Sequence, residues 1–256
     1  MRRLATLIFS IVVLIYAAAC GALYLFQRSL IYFPQAHAVD TPVIEVRPDL
    51  LASVREHTGP DAVIYFGGNG EDVSPSLQPL AEAFPQHALY LLHYRGYGGS
   101  GGKPTEAAIT EDALALFDSV HARHPNVVVI GRSLGTGVAV RLASQRPVTR
   151  LVLVTPYDSL QELAVQQFRY FPVRWLLTDK FESWRYVATV KAPTLLIAAE
   201  NDEVIPRAST EQLFARFGPG RATLRVLPRV SHNTVSQHPL YLPLLSGTQP
   251  SPEAAR

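Results

Sequence analysis

Residues 126–140 read N-V-V-V-I-G-R-S-L-G-T-G-V-A-V. Residues 127–130 are four β-forming side chains in a row, too few for a helix and apolar on both faces. They predict a buried strand of a parallel sheet. Gly131-Arg-Ser-Leu-Gly135 follows as a G-x-S-x-G, and the small apolar residues after it suit a helix. A serine at a sharp strand-to-helix turn is presented at the end of the sheet, and glycines two residues to either side let neighbouring backbone approach closely. The helix also aims its first N–H groups at that spot, which favours developing negative charge. Ser133 is therefore the candidate nucleophile, and the N–H of Leu134 a candidate oxyanion donor.

Outward from this stretch, strands and helices alternate. Residues 62–66, 88–94, 151–154, 194–198 and 222–227 are short apolar runs that read as strands. Residues 76–83 and 105–122 suit helices, with Thr105 or Thr110 as a cap for the second. Crossover-length connections between strands predict an α/β domain over residues 62–245, a mostly parallel sheet covered by helices on both faces. The glycine-containing loop after the first of these strands, Gly67-Gly-Asn-Gly70, is placed to supply a second oxyanion donor, and Asn69 is the candidate.

At the N-terminus, Met1-Arg2-Arg3 precedes an uncharged run over residues 4–26. As a helix that run would be roughly 34 Å long, enough to cross the hydrocarbon of a membrane. Residues 1–3 are expected on the cytoplasmic side, because Arg2, Arg3 and the amino terminus outweigh Arg28 beyond the run. The folded domain would then lie outside the cytoplasm, in the periplasm of a Gram-negative cell. Ala17-Ala-Ala-Cys20 offers an alternative, a lipoprotein anchored at Cys20, although the apolar run continues past it. Residues 27–61 read as a connector with one short strand at 43–46, and residues 246–256 as a disordered polar tail.

The formal charge of +2 on 256 residues implies no strong electrostatic partner. The chain carries no basic stripe, no zinc spacing of Cys and His, and no phosphate-binding glycine loop, so no nucleic acid, metal or cofactor is expected. His121 and His124 lie three apart near a helix end and read as a solvated terminus.

A serine hydroxyl needs a base, and the base an orienting acid. Sheets of this kind place reactive groups beyond the carboxyl ends of strands. Glu200-Asn-Asp202-Glu203 follows one such strand, and Ser231-His232-Asn233 follows the last. His232 is the candidate base, since His238, the other histidine after the acid loop, precedes a proline. Spacing does not choose among Glu200, Asp202 and Glu203.

With those residues in place, the chain resembles the α/β-hydrolase superfamily, in its membrane-anchored, serine-aminopeptidase-like branch that includes lysophospholipases and protein depalmitoylases. The matching pieces are Gln27-Arg-Ser-Leu-Ile-Tyr-Phe-Pro34, Tyr94-Arg-Gly-Tyr-Gly98, Gly131-Arg-Ser-Leu-Gly-Thr-Gly137, Asp202-Glu-Val-Ile-Pro206 and Ser231-His-Asn233. The resemblance implies the α/β-hydrolase fold with a small helical cap at residues 157–187, and puts nucleophile, acid and base at Ser133, Asp202 and His232. Two positions depart from the pattern. Gly67 stands where the branch has histidine before Gly-Asn, which loosens the side-chain support of the oxyanion loop, and His93 stands where it often has aspartate. The stretch before residue 62 is short for the usual leading strands, which implies a sheet trimmed at that edge.

The function expected is hydrolysis of an ester or thioester of an apolar acyl group through an acyl-enzyme on Ser133. Its alternatives are a peptidase or amidase on the same residues and a non-catalytic binding module of the same fold. The expected partners are an acyl substrate and a membrane. Of the cap aromatics, Phe171 and Trp175 are the first candidates to line an acyl slot.

Overall fold

The computed structural model describes residues 1–248, so the expected tail lies outside the described residues from 249 onward. In chain order the elements are helix α1 (Arg2–Ile31), strands β1 (Val43–Arg47), β2 (Leu50–Arg55) and β3 (Asp61–Phe66), helix α2 (Leu77–Ala83), and strand β4 (Ala88–Leu92). Helix α3 (Glu106–His121), strand β5 (Asn126–Arg132), helix α4 (Leu134–Ala143) and strand β6 (Arg150–Val154) follow. The second half adds α5 (Leu160–Gln167), α6 (Val173–Leu176), β7 (Thr194–Asn201), α7 (Arg207–Ala215), β8 (Ala222–Ser231) and α8 (Tyr241–Ser246).

The strands form one sheet of eight in the order β1-β2-β4-β3-β5-β6-β7-β8. From β4 through β8 every pairing is parallel, and only β1 and β2 run antiparallel to their neighbours. Side chains alternate between the faces as strand geometry requires. On one face Val127 and Val129 of β5 pack with Ile109 and Leu116 of α3 and Leu142 of α4. On the other, Ile130 packs with Leu80 of α2 and Leu245 of α8. The parallel α/β sheet expected from the strand pattern, and the α/β-hydrolase architecture that the resemblance implies, are thus present. Helix α3 is capped by Thr105, whose hydroxyl accepts the N–H of Ala108 at 3.0 Å.

The leading edge is complete rather than trimmed. Two residues, Pro48 and Asp49, suffice to join β1 to β2, with Asp49 in the left-handed region at φ 64°. Such a tight hairpin fits two strands into a stretch that reads as a connector with one. Strand β2 buries Leu50, Ala52, Ser53 and Val54, so it lacks the clean apolar alternation that would announce a strand.

Helix α1 also runs five residues beyond the uncharged stretch, to Ile31. Its 18-residue apolar window has a mean hydropathy of 2.4 and no buried residue, so it is long and apolar enough to cross a membrane. The last turns behave differently. Gln27 and Ile31 are buried against the domain, and Tyr32 donates its hydroxyl hydrogen to Asp179 in the segment between β6 and β7.

Candidate active site

Strand β5 delivers Ser133 to the centre of the sheet's carboxyl edge. Its backbone sits at φ 49°, ψ −117°, where an L-residue is strained, and α4 begins at the next residue. The turn closes only because its glycines lack side chains. A Cβ on Gly135 would stand 2.2 Å from the carbonyl oxygen of Phe66 at the end of β3. One on Gly131 would stand 2.4 Å from the carbonyl oxygen of Gly135. Gly135→Ala is therefore expected to cost about 3 kcal/mol of stability by overpacking, measured as a lower denaturation midpoint; a native midpoint would show that α4 and β3 can separate freely.

Strands β7 and β8 run past their neighbours and bring two loops to Ser133. The Ser133 Oγ lies 2.9 Å from His232 Nε2, and His232 Nδ1 lies 3.0 Å from both carboxylate oxygens of Asp202. A carboxylate only accepts, so the Nδ1 proton points at Asp202, and Nε2 is left to accept from the serine hydroxyl. Asp202 is held in turn by the N–H groups of Val204 and Ile205 at 3.0 and 2.7 Å. The other two carboxylates of the loop have different partners. Glu200 accepts the N–H of Arg229 at 2.8 Å, and Glu203 accepts the N–H of His232 at 3.2 Å. Tertiary contact thus separates three acids that spacing leaves equivalent. His238 lies apart, accepting the N–H of Leu240.

Asn69 and Leu134 both border the cavity at Ser133. The Asn69 loop is braced from several directions. Its carbonyl accepts from the hydroxyl of Tyr97 and the N–H of Phe33, and its side-chain amide donates to the carbonyl of Ile31 at the end of α1. Tyr94 donates to the carbonyl of Gly67 at 2.8 Å. Sequence reasoning missed Glu71, which takes the bracing place left open by Gly67. Its carboxylate accepts from the N–H of Gly68 (2.8 Å), the hydroxyl of Tyr65 (2.7 Å) and the guanidinium of Arg132 (3.0 Å), tying this loop to the serine turn. The signal was its position four residues after Gly67 together with the arginine inside G-x-S-x-G. His93, the second departure, is buried against Ser53, and burial beside His37 lowers its pKa to about 4, so it is neutral at physiological pH. His124, expected at a solvated helix end, is instead buried, bonded to Tyr90 and the carbonyl of Gly59.

The serine opens into a cavity of about 350 Å³. Its walls are largely apolar: Leu160, Leu163 and Phe168 from the region of α5, Leu176 and Leu177 from that of α6, and Leu23, Leu30 and Ile31 from α1. Phe171 and Trp175 do not line it. Phe171 stacks on Tyr16 of α1 at 5.7 Å, and Trp175 points away from the domain, 88 % exposed. The helical phase of the short α6 turns its leucine inward and its indole out.

Residues 57–182 match the family model described as the alpha/beta hydrolase fold. An uncharacterized protein of Mycobacterium tuberculosis is 34 % identical over 246 residues, covering 88 % of this chain and 86 % of that one. The lysophosphatidylserine lipase ABHD12 of Macaca fascicularis is 32 % identical over 184 residues, covering 62 % of this chain and 46 % of the lipase. Among solved structures, the esterase Pf2001 of Pyrococcus furiosus superposes with a TM-score of 0.61 at 16 % identity, covering 82 % of this chain and 93 % of that one.

Proposed function

This chain belongs to the α/β-hydrolase family, and from that premise we propose that it is a membrane-anchored serine hydrolase of acyl esters or thioesters. The observation that supports this most is the contact series Ser133–His232–Asp202 at 2.9 and 3.0 Å, opening into an apolar cavity. Relatives described as a lipase and an esterase favour an ester-type bond over an amide.

In this reading Ser133 Oγ attacks the acyl carbonyl while its proton passes to His232 Nε2. Asp202 keeps the Nδ1 proton in place and stabilises the imidazolium that forms. The N–H groups of Leu134 and Asn69 take the negative charge on the former carbonyl oxygen. Collapse breaks the bond to the leaving alcohol or thiol, which departs with the proton from His232. Water, deprotonated by the same nitrogen, then attacks the acyl-enzyme and releases the acid and Ser133. Glu71 acts through the loop, as a positioning residue that holds the Gly68 segment against Arg132.

Helix α1 is the anchor. Arg2 and Arg3 at its start against Arg28 after its apolar part favour a domain outside the cytoplasm. The contact of Tyr16, which precedes Cys20, with the carbonyl of Tyr170 speaks for a helix that stays attached rather than one cut before Cys20.

A series of p-nitrophenyl esters from acetate upward, kept below micelle-forming concentrations, tests the reading. Each methylene buried in the apolar cavity contributes up to about 0.8 kcal/mol, so kcat/KM should climb roughly fourfold per methylene until the cavity is full. The optimum is expected beyond butyrate. A profile that peaks at acetate and falls steadily would remove the acyl-chain reading, and cleavage of aminoacyl amides in its place would make the protein a peptidase.

A further inference from the structure

One wall of the cavity is the anchor helix itself. Leu23, Gln27, Leu30 and Ile31 border it at spacings of four, three and one, a single face of α1. That face is pinned rather than loosely tethered. The Gln27 amide donates to the carbonyls of Tyr24 and Leu176 at 2.8 and 3.1 Å, and its oxygen accepts the N–H and hydroxyl of Thr178 at 2.7 and 2.9 Å. All its hydrogen-bonding groups are engaged. Arg28 pairs with Asp179 at 3.1 Å one residue later.

The contact between helix and cap continues into the apolar run. Tyr16 donates to the carbonyl of Tyr170 at 2.8 Å and stacks on Phe171. It lies seven residues before Leu23, so roughly 10 Å further along the helix axis. The uncharged run ends only at Phe26, and about 20 residues cross the hydrocarbon of a bilayer. Tyr16 then lies within the hydrocarbon and Leu23 near its edge, at the level of the cavity. Beside them, Tyr170 and Trp175 are 73 % and 88 % exposed, and Leu25 and Phe26 are exposed on the helix. Exposed tyrosine and tryptophan match the preference of both rings for the membrane interface, and Arg174 between them, paired with Glu162 at 2.8 Å, reaches toward the headgroups from the same segment.

We infer that the cavity opens into the membrane between α1 and the cap, with the segment from Tyr170 to Trp175 set into the leaflet. Its ligand is the acyl chain of an ester lipid that enters from that leaflet without crossing water. The identity of the ligand rests on the hydrolase reading of Ser133; the position of the cap does not. Each methylene holds a lipid chain in the bilayer about as strongly as it would bind in the cavity, so transfer between the two is nearly even, whereas a route through water loses roughly fourfold in concentration per methylene.

The test uses the full-length protein in phospholipid vesicles. Trp184→Phe leaves Trp175 as the single tryptophan, and Trp175→Phe leaves Trp184, which lies against Arg185 and Arg216 of the domain. Lipids brominated high in their acyl chains are expected to quench Trp175 strongly and Trp184 little; equal or absent quenching of Trp175 would overturn the immersed cap. Hydrolysis is then followed with 4-methylumbelliferyl oleate placed in the protein's own vesicles or in separate protein-free ones. Shared vesicles are expected to give a rate higher by roughly tenfold or more, because confinement to one surface raises the effective concentration. Equal rates in the two arrangements would overturn entry from the leaflet. A fluorophosphonate probe on the same vesicles keeps the readings apart. Absence of label at Ser133 sinks the hydrolase reading and the ester ligand with it, while quenching still decides where the cap lies.

Discussion

Ser133→Ala is expected to leave a folded protein whose ester turnover is lower by about 10⁶-fold and which no longer takes a fluorophosphonate label. Alanine meets the same backbone strain at φ 49° as serine does, so the turn between β5 and α4 should survive the change. Only the Oγ is lost, and with it the one nucleophile 2.9 Å from His232 Nε2. His232→Ala should cost a similar factor, because without a base the serine hydroxyl is nearly inert. The double variant should be little worse than either single one, since the two groups act as a unit. Turnover within about tenfold of the native protein in Ser133→Ala would end the serine-hydrolase reading. Circular dichroism and the denaturation midpoint would confirm that the fold is intact.

Asp202→Asn carries the second large effect, about 10⁴-fold in kcat. An asparagine amide facing Nδ1 can donate, which favours the tautomer with its proton on Nε2 and leaves nothing to take the serine proton. Its neighbours supply the control. Glu200→Gln weakens a contact to the N–H of Arg229 and Glu203→Gln one to the N–H of His232, since the glutamine carbonyl still accepts. Each loses at most one hydrogen bond worth about 1 kcal/mol, so each should stay within about tenfold of native activity. If Glu203→Gln proved the more damaging variant, the acid would have to be reassigned. Both series can be read with the same p-nitrophenyl ester.

Local chemistry made much of this molecule legible in advance. The apolar run before Gly131 and the small residues after Ser133 belong to neighbouring elements, so their pattern reports β5, the turn and α4 directly. The cap of α3, narrowed in the sequence to Thr105 or Thr110, is of the same kind, because capping involves only residues within one turn. Elements whose burial is arranged from outside were less visible. Strand β2 carries Ser53 and Arg55, whose partners are His93 and the carbonyls of Ala81, Phe84 and His87, all distant in sequence. Helix α7 buries only Ser209, Thr210 and Leu213, too weak a stripe to announce a helix.

By itself, then, the sequence determined the α/β architecture, the serine turn and the order of loops beyond the strands, because these follow from spacing along the chain. Spacing left three neighbouring carboxylates open, and only the resemblance pointed to Asp202. The tertiary structure sets Asp202 against His232, and it alone decided that Glu71 braces the loop lacking a histidine and that α1 forms a wall of the cavity. The physical reason is the same in each case. Spacing along one element sets which side chains share a face, but not what that face meets. Asp202, Glu200 and Glu203 are told apart by what each meets across the fold: the His232 imidazole, the N–H of Arg229 and the N–H of His232. Trp175 and Leu176 are adjacent in sequence, yet the docking of α6 against Gln27 sends one outward and the other to the cavity.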